Sequence, residues 1–183
     1  MKKIFLFLIC ASFIACVLKC CDSSRVEAVP TTSPNDEIQY AEDSFPSCLT
    51  INDSVKWMIS YSDIEHPDIV YAQAILETGH FTSDIFIQNN NLFGMKLPKV
   101  RETKATGENM NHATFESWIE SVKDYKLWQD SFASGKTRDE YFTYLGSVYA
   151  QDKRYVTKLK KIIERNKLND EKFLDNMKIL AQK

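Results

Sequence analysis

Helical apolar periods cover most of the chain, separated by stretches that have none. The first period opens near Asn52 or Asp53, both good helix N-caps, and runs through Val55, Met58, Ile59 and Ser62. A second spans Pro67 to Gly79, where Ile69, Ala72, Ile75 and Leu76 recur at three- and four-residue steps. Pro67 suits a first helical position, Asp68 suits the positive end of the helix dipole, and Gly79 can adopt the left-handed backbone of a C-cap. From Lys96 to Ala113 the period stops; Pro98 and Gly107 interrupt it, and few β-branched residues occur, which predicts a loop with weak strand character. Helical spacing returns in Glu116–Gln129 (Trp118, Ile119, Val122, Tyr125, Trp128) and in Arg138–Ala150 (Tyr141, Phe142, Leu145, Val148), the latter with Thr137 as its cap. It continues in Tyr155–Asn166 (Val156, Leu159, Ile162, Ile163) and in Asp170–Ala181 (Phe173, Leu174, Met177, Leu180). The pattern predicts a mainly α domain without internal repeats.

The amino end does not belong to that domain. Lys2 and Lys3 precede an apolar run from Ile4 to Leu18 that Lys19 stops, the layout of an export signal over residues 1–21 and too short a run to span a bilayer comfortably. Four of the five cysteines, Cys10, Cys16, Cys20 and Cys21, fall in or beside it, so Cys48 alone cannot build a disulfide framework in the body of the protein. Phe13-Ile14-Ala15-Cys16 resembles a bacterial lipobox, with Phe13 where leucine or valine is usual, so lipidation at Cys16 and simple cleavage are both open. Residues 22–47 are polar and read as a flexible tether before a domain over 48–183. The net charge of −2 runs against a nucleic-acid protein, although basic residues gather late, from Lys153 to Lys167.

The candidate chemistry centres on Glu77. It falls in the last turn of an apolar helix, at the less favourable end of the dipole, where desolvation and the dipole would both hold a proton on the carboxyl. That is what a general acid near neutral pH needs, although a surface glutamate beside a helix cap has the same sequence. Glu77-Thr-Gly-His80 also spells half of a di-iron carboxylate site, but the second half is absent and Gly79 breaks the helix before His80. No metal and no cofactor is expected, and His80 reads as a cleft-edge or capping residue. Trp118 and Trp128, at helical spacing, read first as core.

The strings AQAILETGHF and NNLFGMK resemble the signature of the glucosaminidase family of bacterial wall hydrolases, glycoside hydrolase family 73. Downstream, ATFESWIESVKDYKLW and VYAQDKRYVTKLKKII are similar to two further segments of that family, so four ordered matches run from about Val55 to Ile163. Gln151 and Lys153 depart from the commoner threonine and proline of the last segment.

The resemblance implies a lysozyme-like α+β domain with a small β-hairpin or loop lobe along the substrate groove. It places the family's catalytic glutamate at Glu77. For the second catalytic group it offers a carboxylate on the mobile lobe, here Glu102 or Glu108; neither has the Thr-Glu-Tyr context of some relatives, and a bound water or the substrate's own 2-acetamido oxygen are the alternatives. Tyr149 is expected near the cleaved bond, and Asn91, Phe93, Trp118 and Tyr155 are expected sugar contacts, while Asp152 reads as a helix cap. The implied function is an endo-β-N-acetylglucosaminidase acting on the glycan strands of peptidoglycan, with a muramidase or a non-hydrolytic wall-binding module as rivals. The expected setting is the cell envelope or periplasm, as a monomer, touching membrane only through its amino end.

Overall fold

The computed structural model describes residues 50–149, 152–170, 173 and 175. The chain divides into two units, Met1–Phe45 and Pro46–Lys183, and every described residue lies in the second. The expected export segment, the tether, Cys16 and Cys48 lie outside the described residues, as does most of the predicted last helix, of which Phe173 and Asp175 are helical.

The elements are α1 (Ile51–Tyr61), α2 (Pro67–Glu77), α3 (Asp84–Asn89), β1 (Gly107–Asn109), β2 (His112–Thr114), α4 (Trp118–Phe132), α5 (Arg138–Tyr144), a π-helical turn (Leu145–Tyr149) and α6 (Tyr155–Arg165). The mainly helical expectation holds, with one small antiparallel hairpin. Helix α1 starts slightly earlier than Asn52, because Thr50 is its cap: its hydroxyl accepts the Asp53 N–H at 3.3 Å and donates to the Asp53 carboxylate at 2.8 Å.

Helix α2 is the centre of the domain. Every residue from Asp68 to Ile75 is buried, as expected of a helix apolar on nearly all sides, and it packs on α1 and most extensively on α6. Asp68, buried at its positive end, is held by both guanidinium nitrogens of Arg138 at 3.0 and 2.7 Å. The helix stops in a Schellman motif: His80 N–H donates to Ile75 C=O at 3.0 Å and Gly79 N–H to Leu76 C=O at 3.4 Å, with Gly79 at φ +55°. Gly79 therefore ends the helix as its spacing predicts, and exposed His80 contributes its backbone to the cap.

Two features depart from the sequence reading. Helix α3 was not anticipated; its six residues are too few for a period to register, and Ser83 caps it by accepting the Phe86 N–H at 3.3 Å. The helix expected over Arg138–Ala150 changes character after Tyr144 and continues as the π-helical turn. There Gly146 lies so close to α6 that an added Cβ would sit 3.0 Å from Val156 Cγ2. Thr137 caps α5 as expected, with a reciprocal bond to Glu140. Helix α4 begins after Ser117 and extends to Phe132, beyond the expected end.

The hairpin pairs Gly107 with Thr114, Glu108 with Ala113 and Asn109 with His112. Its turn residues Met110 and Asn111 both have positive φ, the backbone that matches the twist of a two-residue hairpin turn. A lone hairpin is marginal in water. Here the asparagine run supports it: Asn89 Nδ2 donates to Asn109 C=O and its Oδ1 accepts from Asn109 Nδ2, both at 2.8 Å, and Asn91 Nδ2 donates to Ala113 C=O at 2.8 Å.

Candidate active site

The Schellman motif fixes where Glu77 can go. It is the last residue of α2, half-buried, and its side chain enters the wall of a cavity of about 900 Å³. The Phe93–Arg101 segment contributes much of the lining, joined by Asn111 and His112 of the hairpin. Trp128, Phe132, Val148, Tyr149, Asp152, Tyr155 and Lys158 complete the lining. Gly94, at φ +63°, lets the chain pass close to the carboxylate; a Cβ there would be 3.5 Å from Glu77 Oε2.

Burial pushes the Glu77 pKa above the ordinary glutamate value, and the Tyr155 hydroxyl as hydrogen-bond donor, with positive charge at His112 and Lys158, moderates the rise. The carboxyl therefore keeps its proton to higher pH than an exposed glutamate. Tyr149 donates its hydroxyl proton to Phe93 C=O at 2.6 Å, and burial raises its own pKa well above the usual tyrosine range. Its ring stands edge-on to Trp128 at 5.2 Å and lies 5.9 Å from Tyr155, so an aromatic surface lines the cavity beside the acid.

The expected sugar contacts divide. Tyr155 and Phe93 line the cavity, but both are nearly inaccessible, and the Phe93 ring centroid packs 4.3 Å from that of Tyr125. Asn91 is a correction. It is buried, its Oδ1 accepts the Phe93 and Met95 N–H groups at 3.3 and 3.0 Å, and its Nδ2 donates to Met95 and Ala113 carbonyls at 2.9 and 2.8 Å. With donors and acceptors so engaged, it builds the loop and does not face a ligand. Trp118 is half-buried against the core and does not line the cavity; Trp128, ten residues on along α4, does. Helical spacing marks both tryptophans as inward-facing and carries no signal for which one reaches the cleft.

Glu102 is exposed and lines an adjoining pocket that shares Val100, Arg101 and Phe132 with the Glu77 cavity, but it is not itself among the residues lining that cavity. Glu108 is exposed on β1. Their loop is tied down by Asp124, fully buried, which accepts two bonds from Arg101 at 3.0 and 2.7 Å, one from Thr103 at 2.7 Å and one from Lys104 N–H at 2.9 Å. Among the described residues, the carboxylates lining the Glu77 cavity are Glu77 itself and Asp152. Asp152 is not the N-cap of α6, a position held by Arg154; its carboxylate accepts the Arg154 N–H at 2.8 Å and pairs with Lys158 at 2.7 Å, which holds its pKa down at about 2. His112 Nδ1 lies 2.8 Å from Met110 C=O, an acceptor only, so that nitrogen carries the proton and Nε2 is left to accept when the ring is neutral. No three His, Cys, Asp or Glu side chains among the described residues gather where they could share a metal ion.

Comparisons with known proteins bear on this arrangement. A stretch of 63 residues is 43% identical to Protein bax of Escherichia coli (strain K12), covering 34% of this chain and 23% of that protein. The catalytic domain of the autolysin Auto from Listeria monocytogenes superposes over 84% of this chain and 99% of that one, with a TM-score of 0.43 and 21% identity. The family model described as mannosyl-glycoprotein endo-beta-N-acetylglucosaminidase matches residues 58–168, which include Glu77, the whole hairpin and Tyr155. The chain belongs to the glucosaminidase family, a family of glycoside hydrolases.

Proposed function

We propose that this chain is an endo-β-N-acetylglucosaminidase that hydrolyses the β-1,4-linked glycan strands of peptidoglycan, with Glu77 as the general acid. One observation carries the reading: a half-buried carboxyl, whose pKa burial raises above the ordinary glutamate value, lines a cavity of about 900 Å³, within the size range of ligand sites. Lys96, Lys99 and Lys158 line the same cavity and suit a polymer that bears carboxylates. The export-like amino end and the motifs shared with wall hydrolases support a cell-envelope substrate reached after export. On this reading residues 22–47 tether a monomeric catalytic domain of residues 48–183, anchored through lipid only if Cys16 is acylated.

Glu77 gives its proton to the glycosidic oxygen as the bond to the anomeric carbon breaks. Glu102 and Glu108 do not line the cavity, and Asp152, which does, is engaged by Lys158 and the Arg154 N–H; this favours attack on that carbon by the substrate's own 2-acetamido oxygen. Ionised Glu77 then takes a proton from the water that opens the cyclic intermediate, and its acid form is restored. Glu102 can take a direct part only if the loop leaves the Asp124 anchor.

Digestion of purified wall sacculi by the wild type and by Glu77→Gln, with mass analysis of the fragments, tests the proposal. The wild type should release fragments ending in reducing N-acetylglucosamine, and the variant should lose at least about 100-fold in rate. Reducing N-acetylmuramic acid would instead identify a muramidase. Equal release by both proteins would remove Glu77 from the mechanism, and no release by either would leave a wall-binding module.

A further inference from the structure

Behind Glu77 the core holds a file of polar side chains that the reaction described above does not use. Gln73, Tyr125, Tyr141 and Gln129 are each fully buried, and Tyr155 is nearly so. Buried polar groups in an apolar core are tolerated when every donor finds an acceptor, and these do so in a single line. The line runs from Gln129 on α4, beside the backbone of Glu65, to Glu77 at the cavity.

Its direction follows from elementary donor counting. The Glu65 N–H can only donate, and it does so to Gln129 Oε1 at 2.8 Å, which identifies the other amide atom of Gln129 as Nε2; one of its protons returns to the Glu65 carbonyl at 3.0 Å. That nitrogen donates to Tyr141 Oη at 3.1 Å. The Tyr141 and Tyr125 hydroxyls are 2.6 Å apart, and Tyr125 has its one proton on Gln73 Oε1, also at 2.6 Å, so Tyr141 must be the donor between them. With Oε1 taken, the Gln73 amide presents Nε2 to the Tyr155 oxygen at 3.1 Å. Tyr155 is thereby an acceptor on its inner side, and its proton is left for the wall of the cavity that it shares with Glu77, where it serves that carboxyl as a hydrogen-bond donor. Every link points toward the acid.

We propose that Gln73 is a positioning residue for Glu77: its amide, oriented by the Tyr141–Tyr125 pair, compels Tyr155 to donate to the carboxyl. The Glu77 oxygen that faces Tyr155 is then held as an acceptor, and the transferable proton is confined to the other oxygen. Once that proton leaves, the developing carboxylate is met by a donor already in place, so no hydroxyl has to turn during the step. This rests on Glu77 being the general acid. The other groups that act on the same carboxyl are His112 from β2, Lys158 from α6 and Tyr149 from the π-helical turn, and none of them touches the file at Gln73.

Tyr125→Phe tests the idea without altering any group in the cavity. Loss of that hydroxyl frees the Gln73 amide to turn, and Tyr155 can then give its proton to Gln73 instead of Glu77. With soluble peptidoglycan glycan fragments, kcat should fall roughly ten-fold with KM little changed, and the alkaline limb of the kcat–pH profile should move up by about one pH unit. Tyr155→Phe should move the limb in the same direction, and adding Tyr125→Phe to it should move it no further. Tyr141→Phe, one link more remote, should act in the same sense but less, which separates the relay from general loosening of the core. If Tyr125→Phe leaves the limb in place, or moves it equally with and without the Tyr155 hydroxyl, Gln73 does not act through Tyr155. Should Glu77→Gln retain full activity, the general-acid reading fails instead, independently of these variants.

Discussion

The Tyr149 hydroxyl donates to the Phe93 carbonyl at 2.6 Å, closing the π-helical turn onto the segment that passes beside Glu77. Tyr149→Phe should keep the ring against Trp128 but leave a buried carbonyl without that donor, at a cost of about 1–3 kcal/mol. A lower urea midpoint with an unchanged slope would show it, together with reduced wall hydrolysis as the Phe93–Gly94 backbone loses its clamp.

The raised Glu77 pKa makes activity and stability fall together as pH rises, whereas replacing the residue should move the two in opposite directions. A general acid works only while protonated, so kcat should decline as pH rises through the folded-state value, which lies above that of an exposed glutamate. For stability, a carboxyl whose folded pKa exceeds its unfolded one contributes fully below the unfolded value, and the contribution is lost as pH rises through the folded value. Glu77→Gln removes that loss. The variant should melt above the wild type at neutral pH, and the gap should close as pH falls below about 4, where both states of the wild type are protonated. Paired melting curves across that range provide the check.

Arg101 and Asp124 anchor the segment that lines the cavity, and both side chains are almost wholly buried. Arg101→Ala would leave the Asp124 carboxylate with only Thr103 and Lys104 as partners, a loss of about 3–5 kcal/mol. Arg101→Lys should recover only part of it, because an ammonium cannot reproduce the two-nitrogen fork. Since Lys96 to Arg101 lines much of the cavity, KM for glycan fragments should rise in both variants, more in the alanine form.

Gly94→Ala combines two effects at one position. The left-handed backbone should cost about 1–2 kcal/mol for any residue with a Cβ. The new methyl would also sit near 3.5 Å from Glu77 Oε2 and displace water from it, so the alkaline limb of kcat should move to higher pH. A limb that stays where it is in a folded variant would show that Gly94 serves the backbone alone.

Much of this arrangement is legible in the order of residues, for reasons that can be named. Helices α1, α2, α4 and α6 each hold an apolar face long enough to register, and Thr137 and Gly79 are local signals read by their own turns; these place Glu77 in the last turn of α2, while the family resemblance is what singles it out as the acid. Asn91 misleads because an amide in a loop looks like a ligand contact until its partners, four residues and more than twenty residues away, are known. Glu102 misleads because the clasp that keeps it away from the cavity lies on α4, far along the chain. The file ending at Tyr155 depends on four elements meeting, though one hint was present: Gln73 is a polar residue in a helix apolar on nearly every side, so it had to be buried with a partner.

Because α2 is enclosed by its neighbours from Asp68 to Ile75, the backbone that carries Glu77, the proposed proton donor, is held from every side. On the proposed function, adjustment to an incoming strand falls to another bank of the cavity, where Lys99 and Val100 stand in solvent. Changes that retune which polymer fits can therefore accumulate on that bank while the acid keeps its place, and the two duties, gripping and cleaving, are free to diverge separately.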